Sequence, residues 1–445
     1  MGLRSGRGSK QISVSIAIIF DRISKFGQDT FALNCTFIDP PAQIMSNTPE
    51  PSRRDLETIS VIGFVHGVSH FFHLLLPPLF PWLMADFGLS YTGIGATMTV
   101  FFVVSGLGQA MAGFLVDRFG AARVLGGGIV CFLLAGVLLH FAQGYSMLIA
   151  VAALAGLGNC VFHPADFTVL NRHVSQARLG HAFSVHGLSG NLGWAAAPLF
   201  MTGLADAFGW RQAALGAALV AVAALALLYW QRAAIADPLP HPHDEAPQAR
   251  AATLDFLRSR PVWLCFLFFF FITAAFGAIQ NFASPIVQAL YQLDLHTAAL
   301  GLTLYMLGSA CGIILGGFLA QHGEHDHLIA GALGCAALLA ALLASLWLPA
   351  WSILGLMSGI GFFSGIAGPS RDLLVRRAAT ARFGKSAYGR IYGFVYSGLD
   401  LGLATAPLIF GGLMDAQAYS QVLIGIACLQ FLAIFTALYV GKNAD

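Results

Sequence analysis

LGWAAAPLFMTGLAD, residues Leu192 to Asp206, returns in the second half of the chain as LGLATAPLIFGGLMD, residues Leu401 to Asp415. At a constant offset Gly193 aligns with Gly402, Ala197 with Ala406, Pro198 with Pro407, Gly203 with Gly412 and Asp206 with Asp415. Each copy lies in an apolar run long enough to cross a bilayer, and one further apolar run follows it. Two similar hydrophobic halves are the sequence sign of a secondary transporter.

Composition points the same way. The chain is 57% hydrophobic and 10% charged, whereas soluble domains carry about 25% charged residues. A net charge of +2 carries no signal for nucleic acid. Six of the seven cysteines, Cys131, Cys160, Cys265, Cys311, Cys335 and Cys428, sit inside apolar runs with no CxxC spacing, so they read as small packing residues. A spanning helix needs about 20 mostly apolar residues. Twelve such segments start near Thr58, Thr92, Ala122, Tyr145, Leu179, Arg211, Val262, Thr297, Leu328, Ala350, Tyr388 and Ser420. The predicted fold class is an all-α membrane protein with twelve transmembrane helices in two pseudo-symmetric six-helix bundles, residues 58–231 and 262–440. A polar, Pro- and His-rich stretch (232–261) links them, and a short tail (441–445) follows.

Basic residues set the orientation, because the positive-inside bias acts on short loops. If the first segment starts in the cytoplasm, the inner side carries 17 of the 18 Lys and Arg residues beyond residue 45, and the outer side carries Arg211 alone. Both termini are therefore expected in the cytoplasm of a bacterial inner-membrane protein. The first 57 residues read as an extension. Its apolar core, Ile12 to Phe20, is too short to span, while Met45 opens a polar tail that runs straight into the first segment. Met45 is thus the expected true start, with an amphipathic extension as the rival.

Between segments 2 and 3 the chain reads GFLVDRFGAAR, Gly113 to Arg123. This resembles the loop signature of the major facilitator superfamily: Gly, then Asp-Arg, then Gly, then a basic residue. Gly113 is expected to permit close helix approach. Asp117 can pair with basic groups or a helix end and latch the cytoplasmic side. Gly120 allows a tight turn, and Arg118 and Arg123 anchor the loop at the anionic leaflet. The equivalent loop of the second half, Gly316 to His327, has Gln321 in place of the Asp. Its His322, Glu324, His325, Asp326 and His327 read as a solvated turn rather than a metal site.

A closer resemblance lies in segments 4 and 5, GLGNCVFHPADFTVLNRH (Gly156 to His173) and HAFSVHGLSGNLGWAAAP (His181 to Pro198). Phe162-His163-Pro164 and Gly190-Asn191-Leu192-Gly193 are similar to elements of the fosmidomycin-resistance branch, as are His66 and Pro81 of segment 1. The chain departs from that branch at His70, where an acid is usual. Asp166 stands one position past the branch's Glu. The resemblance covers about residues 58 to 440. It implies the major facilitator fold, with segments 1, 4, 7 and 10 around a central cavity.

Ionisable residues inside spanning segments are functional candidates by default. His66, His163 and His186 fall at similar depth in segments 1, 4 and 5, with Asp166 one turn from His163. His66, His70 and His73, at i, i+4 and i+7, share one stripe. The stripe reads as polar cavity lining, as a proton relay with Asp166 and Asp400, or as a transition-metal site. The metal reading ranks last, for want of an acidic or thiolate partner on segment 1. Asp400 sits near mid-membrane between Gly398 and Gly402. A lone carboxylate there costs about 2.5–3.5 kcal/mol unless protonated or paired, which suits a group that binds and releases a proton; a hydrogen-bonded packing acid is the rival reading. Asn191, Gln280, Asn281, Ser284 and Arg371 are further cavity candidates, with Arg371 placed to attract an anion or to anchor at the interface. Small residues of segments 5 and 11 (Gly187, Gly190, Gly193, Ala197; Gly398, Gly402, Ala406) are expected to pack closely where the halves slide.

Gly187-Leu188-Ser189-Gly190 imitates an intramembrane serine protease, but no HExxH, phosphate loop or dinucleotide fingerprint accompanies it, so no catalytic residue is assigned. The expected function is proton-coupled export of a small drug-like molecule, an anion being the class Arg371 would favour. Import of an organic acid or similar metabolite is the alternative. The expected partners are that substrate, protons and the lipid bilayer, with no nucleic acid, no cofactor and no metal, for a chain acting as a monomer.

Overall fold

The structure is a computed structural model, and it describes residues 53–175, 178–235, 258–320, 325–383 and 388–442. The proposed start at Met45 and most of the 232–261 link lie outside the described residues. Nearly everything described is helix, because a chain passing through hydrocarbon must satisfy its backbone polar groups within each segment. In the first half these are α1 (Arg53–His73), α2 (Phe80–Phe87), α3 (Tyr91–Phe119), α4 (Ala121–His140), α5 (Tyr145–Asn159), α6 (Phe162–His173), α7 (Leu179–Phe208) and α8 (Trp210–Trp230), followed by a single turn, α9 (Arg232–Ile235). The second half has α10 (Arg260–Tyr291), α11 (Leu295–Leu319), α12 (His325–Ala344), α13 (Ile353–Phe383), α14 (Tyr388–Asp415) and α15 (Tyr419–Lys442).

Eleven spans among these are long and apolar enough to cross a membrane. The expected twelfth, α7, is a continuous helix of 30 residues. His181, Ser184, His186, Ser189 and Asn191 lower its hydropathy, so its length rather than its composition marks it as a span. Two spans are broken. Pro77 and Pro78 lack N–H donors, and a 3-10 turn (Pro77–Leu79) separates α1 from α2. The fourth span breaks at Cys160–Val161, which leaves Pro164 in the first turn of α6, where a missing donor costs least. Helix starts are capped by Ser90, which accepts from the Gly93 N–H at 3.1 Å, and by Asp294, which accepts from Thr297 at 2.9 Å.

Packing obeys the duplication. In the first half α1 lies on α7, α3 on α5 and α4 on α8; the second half repeats this with α10 on α14, α11 on α13 and α12 on α15. The halves meet along two symmetric seams, α3 with α14 and α7 with α11. The recurrent Asp residues close one end of both seams. Asp415 accepts hydrogen bonds from the backbone N–H groups of Tyr91 and, at 3.0 Å, Thr92, at the start of α3. Asp206 accepts from His296 Nε2 at 3.0 Å, at the start of α11. Thr99 donates to the Ala404 carbonyl at 2.7 Å, and Thr303 to the Ala195 carbonyl at 2.9 Å, further along each seam.

The small residues act differently from expectation. Gly193 sits against the Gly67 carbonyl on α1, and its repeat partner Gly402 against the Phe270 carbonyl on α10. Gly398 packs on Phe266 of the same helix. These glycines tighten each half internally instead of lining the sliding surface, because the first and fifth spans of each half pack directly on one another. Gly187 faces open space. At the seam itself the close approaches are Gly95 to Pro407, Gly106 to Asp400 and Gly411 to Thr92.

Candidate functional site

Five imidazoles from three spans meet in the first half. His66, His70 and His73 share one face of α1, since residues three and four apart are helical neighbours. Ring centroids lie 4.4 Å apart for His66–His70 and 4.9 Å for His70–His73. The break before α6 delivers His163 and Asp166, and α7 delivers His186. His186 stacks on His66 at 3.5 Å, and His163 lies edge-on to it at 5.4 Å.

Asp166 is the anchor of the group and is completely buried. Its Oδ2 accepts from His66 Nδ1 at 3.0 Å and from His186 Nε2 at 3.1 Å. Buried charge is tolerated where it is paired, and this carboxylate ties together three spans. His163 Nδ1 bonds Gln109 Oε1 on α3 at 3.1 Å. One helical turn away His73 Nε2 donates to Asn159 Oδ1 at 2.8 Å, and Asn159 passes the chain on to Ser105 at 2.8 Å. Neither nitrogen of His70 has a partner among the described residues, and one oxygen of Asp166 has none.

Trp194 of α7 covers His70, with ring centroids 4.1 Å apart, and reaches across the seam to Phe276 of α10 at 5.0 Å. Sequence reasoning missed Trp194, Gln109 and Asn159. A lone Trp amid the small residues of LGWAAAP was the available signal for the first. The two amides carry no pattern of their own and become visible only through the histidines they bond.

The other candidates are dispersed. Asp400 lies at the α3–α14 seam, its Cβ facing Gly106, and no hydrogen bond or ion pair to it forms among the described residues. Gln280 and Asn281 are buried on α10; Asn281 bonds back to Gly277 at 2.7 Å, leaving Gln280 Nε2 and Asn281 Oδ1 unpartnered. Ser284 donates to the Ala298 carbonyl, and Asn191 is turned onto its own helix at Gly187. Arg371 sits over the buried ring of Phe269 at 4.7 Å, a cation–π contact. In the loop between α3 and α4 Gly120 has φ +84°, a region that favours glycine, and it joins the two helices with no spacer. Gly113 must be corrected: nothing lies within 4 Å of where its Cβ would be, because the close contacts of α3 come earlier, at Gly106 and Gly108. Arg123 bonds the Phe119 carbonyl and Arg118 lies over the Phe119 ring. The Asp117 side chain, Gln321, His322 and Glu324 lie outside what is described. Ser189 donates to the His186 backbone carbonyl at 2.8 Å, while the His186 ring serves Asp166, so the protease-like string has no nucleophile–base pair.

Comparison with known proteins agrees with this architecture. The family model "Major Facilitator Superfamily" matches residues 61–289 and 270–444. The chain is 25% identical to the fosmidomycin resistance protein of Escherichia coli (strain K12) over 393 residues, 82% of this chain and 91% of that one. It is also 25% identical to an uncharacterized MFS-type transporter, YfnC, of Bacillus subtilis (strain 168), covering 85% and 91%. Among solved structures the nucleoside transporter NupG superposes with a TM-score of 0.69 at 12% identity, over 87% of this chain and 99% of that one. With both halves matched and the helix pairing duplicated, the chain is a multi-pass membrane transporter, not an enzyme, and belongs to the major facilitator superfamily.

Proposed function

We propose that this transporter exports a small drug-like molecule across the bacterial inner membrane by alternating access, driven by inward proton flow, with Asp400 as the coupling acid. The observation that carries the reading is the place of Asp400. It is a carboxylate without a described polar partner, set on one of the two seams that must open and close. Such a group costs about 2.5–3.5 kcal/mol at mid-membrane as an anion. Binding a proton removes most of that cost, so protonation and seam closure favour one another. Two features of α3 support the link to the histidine cluster: Gly106 abuts Asp400, and Gln109, one turn on, holds His163. The cluster, together with Gln280 and Asn281 across the seam, supplies the polar surface on which a substrate would be held. Similarity to the fosmidomycin resistance protein favours export and suggests a phosphonate as the first substrate to try. The 17-to-1 bias of basic residues supports cytoplasmic termini.

The test is accumulation of a labelled phosphonate antibiotic in efflux-deficient cells, with and without a protonophore. Expressing cells should hold less label, and the protonophore should restore it. Asp400→Asn should abolish gradient-driven transport while downhill exchange persists. Active transport by that variant would remove Asp400 from the mechanism, and higher accumulation in expressing cells would shift the reading to uptake.

A further inference from the structure

The histidine cluster holds more nitrogen donors than its hydrogen bonds use. His66 and His163 each engage Nδ1, with Asp166 Oδ2 and with Gln109 Oε1. Carboxylate and amide oxygens accept, so each ring donates from Nδ1, and Nε2 is left as a bare lone pair. His70 is 8% exposed and bonded at neither nitrogen. One donor atom from each of His66, His70 and His163 lies within 4.8 Å of the other two. Gly190 keeps the space beside them free. A Cβ there would stand 2.6 Å from His70 Nδ1 and 3.2 Å from His66 Nε2.

We propose that His66, His70 and His163 form a three-imidazole site for a divalent first-row transition-metal ion such as zinc or cobalt. Three neutral imidazoles with an open fourth position are a donor set such ions accept, at Zn–N of about 2.0–2.1 Å. Two donors of one tetrahedral ion are then about 3.4 Å apart, so closing the site needs ring movements of at most about 1.4 Å, and unbonded His70 is the ring freest to make them. Ligating histidines characteristically donate their other N–H to a carboxylate or carbonyl, which fixes tautomer and ring plane. Asp166 and Gln109 already do this for His66 and His163. The acidic partner missing from the first span thus arrives from α6, and its charge offsets part of the ion's in a low-dielectric setting. A second trio, His66, Asp166 and His186, is equally compact. Its facing atoms are bonded to one another, however, and an ion would have to displace two hydrogen-bonding protons. Ion binding here requires neither a coupling role for Asp400 nor a particular direction of transport.

The test uses the full chain, purified without a polyhistidine tag, stripped with chelator and titrated with Co²⁺ and Zn²⁺. One ion per chain is expected, with the intense visible absorption of low-coordinate Co²⁺. His70→Ala and His163→Ala should each weaken binding by at least about tenfold. Asp166→Asn should weaken it about 10–100-fold, through lost ring orientation together with the lost charge. His296→Ala, at the end of the α7–α11 seam, should leave metal affinity unchanged. Binding that is absent, or indifferent to both His70→Ala and His163→Ala, overturns the proposal. Should those variants not fold, X-ray absorption on the zinc-loaded wild-type chain decides. Three imidazole nitrogens sustain the site, and a mainly oxygen shell refutes it.

Discussion

Removing the Asp415 carboxylate should loosen one end of the closed seam by a calculable amount. Its two oxygens receive the backbone N–H groups of Tyr91 and Thr92 at the start of α3. Those donors have no partner within their own helix, and the positive end of the helix dipole adds to the attraction. Charge-assisted bonds are worth about 1.5–3 kcal/mol when well shielded. Asp415 is exposed, so water replaces much of each bond once lost, and a net loss of about 1–2 kcal/mol is expected for Asp415→Ala. That corresponds to a roughly 5–30-fold shift toward conformations open at this end. Asp415→Asn keeps one acceptor oxygen and should shift the balance by less. The shift can be read as a distance distribution between spin labels at Phe208→Cys and Trp347→Cys, in a background lacking the exposed cysteines. Both positions are exposed loop-end sites, one in each half. Asp206→Ala, at the symmetric seam, should give a second and roughly additive shift. If Asp415→Ala leaves the distribution unchanged within about twofold, the Asp415 contact does not hold the halves together and the reasoning fails.

Two further outcomes follow from packing. Gly402→Ala would place a Cβ 2.6 Å from the Phe270 carbonyl, forcing α10 and α14 apart and costing about 1–3 kcal/mol. Gly412→Ala on the same helix meets nothing and should be neutral or slightly stabilising, since Ala is the better helix former by about 1 kcal/mol; thermal unfolding of the detergent-solubilised variants distinguishes the two. Trp194→Ala removes the ring between His70 and Phe276. It should lower the transport rate about tenfold or more, with Trp194→Phe recovering most of it; an unchanged rate in Trp194→Ala would show that the aromatic bridge is incidental.

The duplication, the twelve spans and the glycine turn between α3 and α4 were legible in the sequence because each is written in local composition: a length of apolar residues, a glycine at a turn, a repeated string. His66, His70 and His73 were also legible as one face, since helical period alone places them. Asp166 could be named with them in a relay, but the bonds it makes to His66 and His186 could not. Asp166 is 100 positions from His66 in the chain, and no periodicity on α1 announces a carboxylate arriving from a broken fourth span. The repeated glycines teach the same lesson. Sequence showed that Gly193 and Gly402 are equivalent and that small residues invite close approach, but which helix approaches depends on the global packing. Gly113, legible as part of the loop signature, turned out to face open space.

Sequence by itself determined that this chain is a duplicated helical membrane protein, because hydrocarbon leaves a long apolar run few alternatives to a helix that bonds its own backbone. Only the tertiary structure decided what each polar group inside it meets. Asp166 gathers two histidines, Gln109 orients a third and Asp400 faces a glycine of the opposite half, since such pairings are set by how twelve spans assemble and not by any one of them.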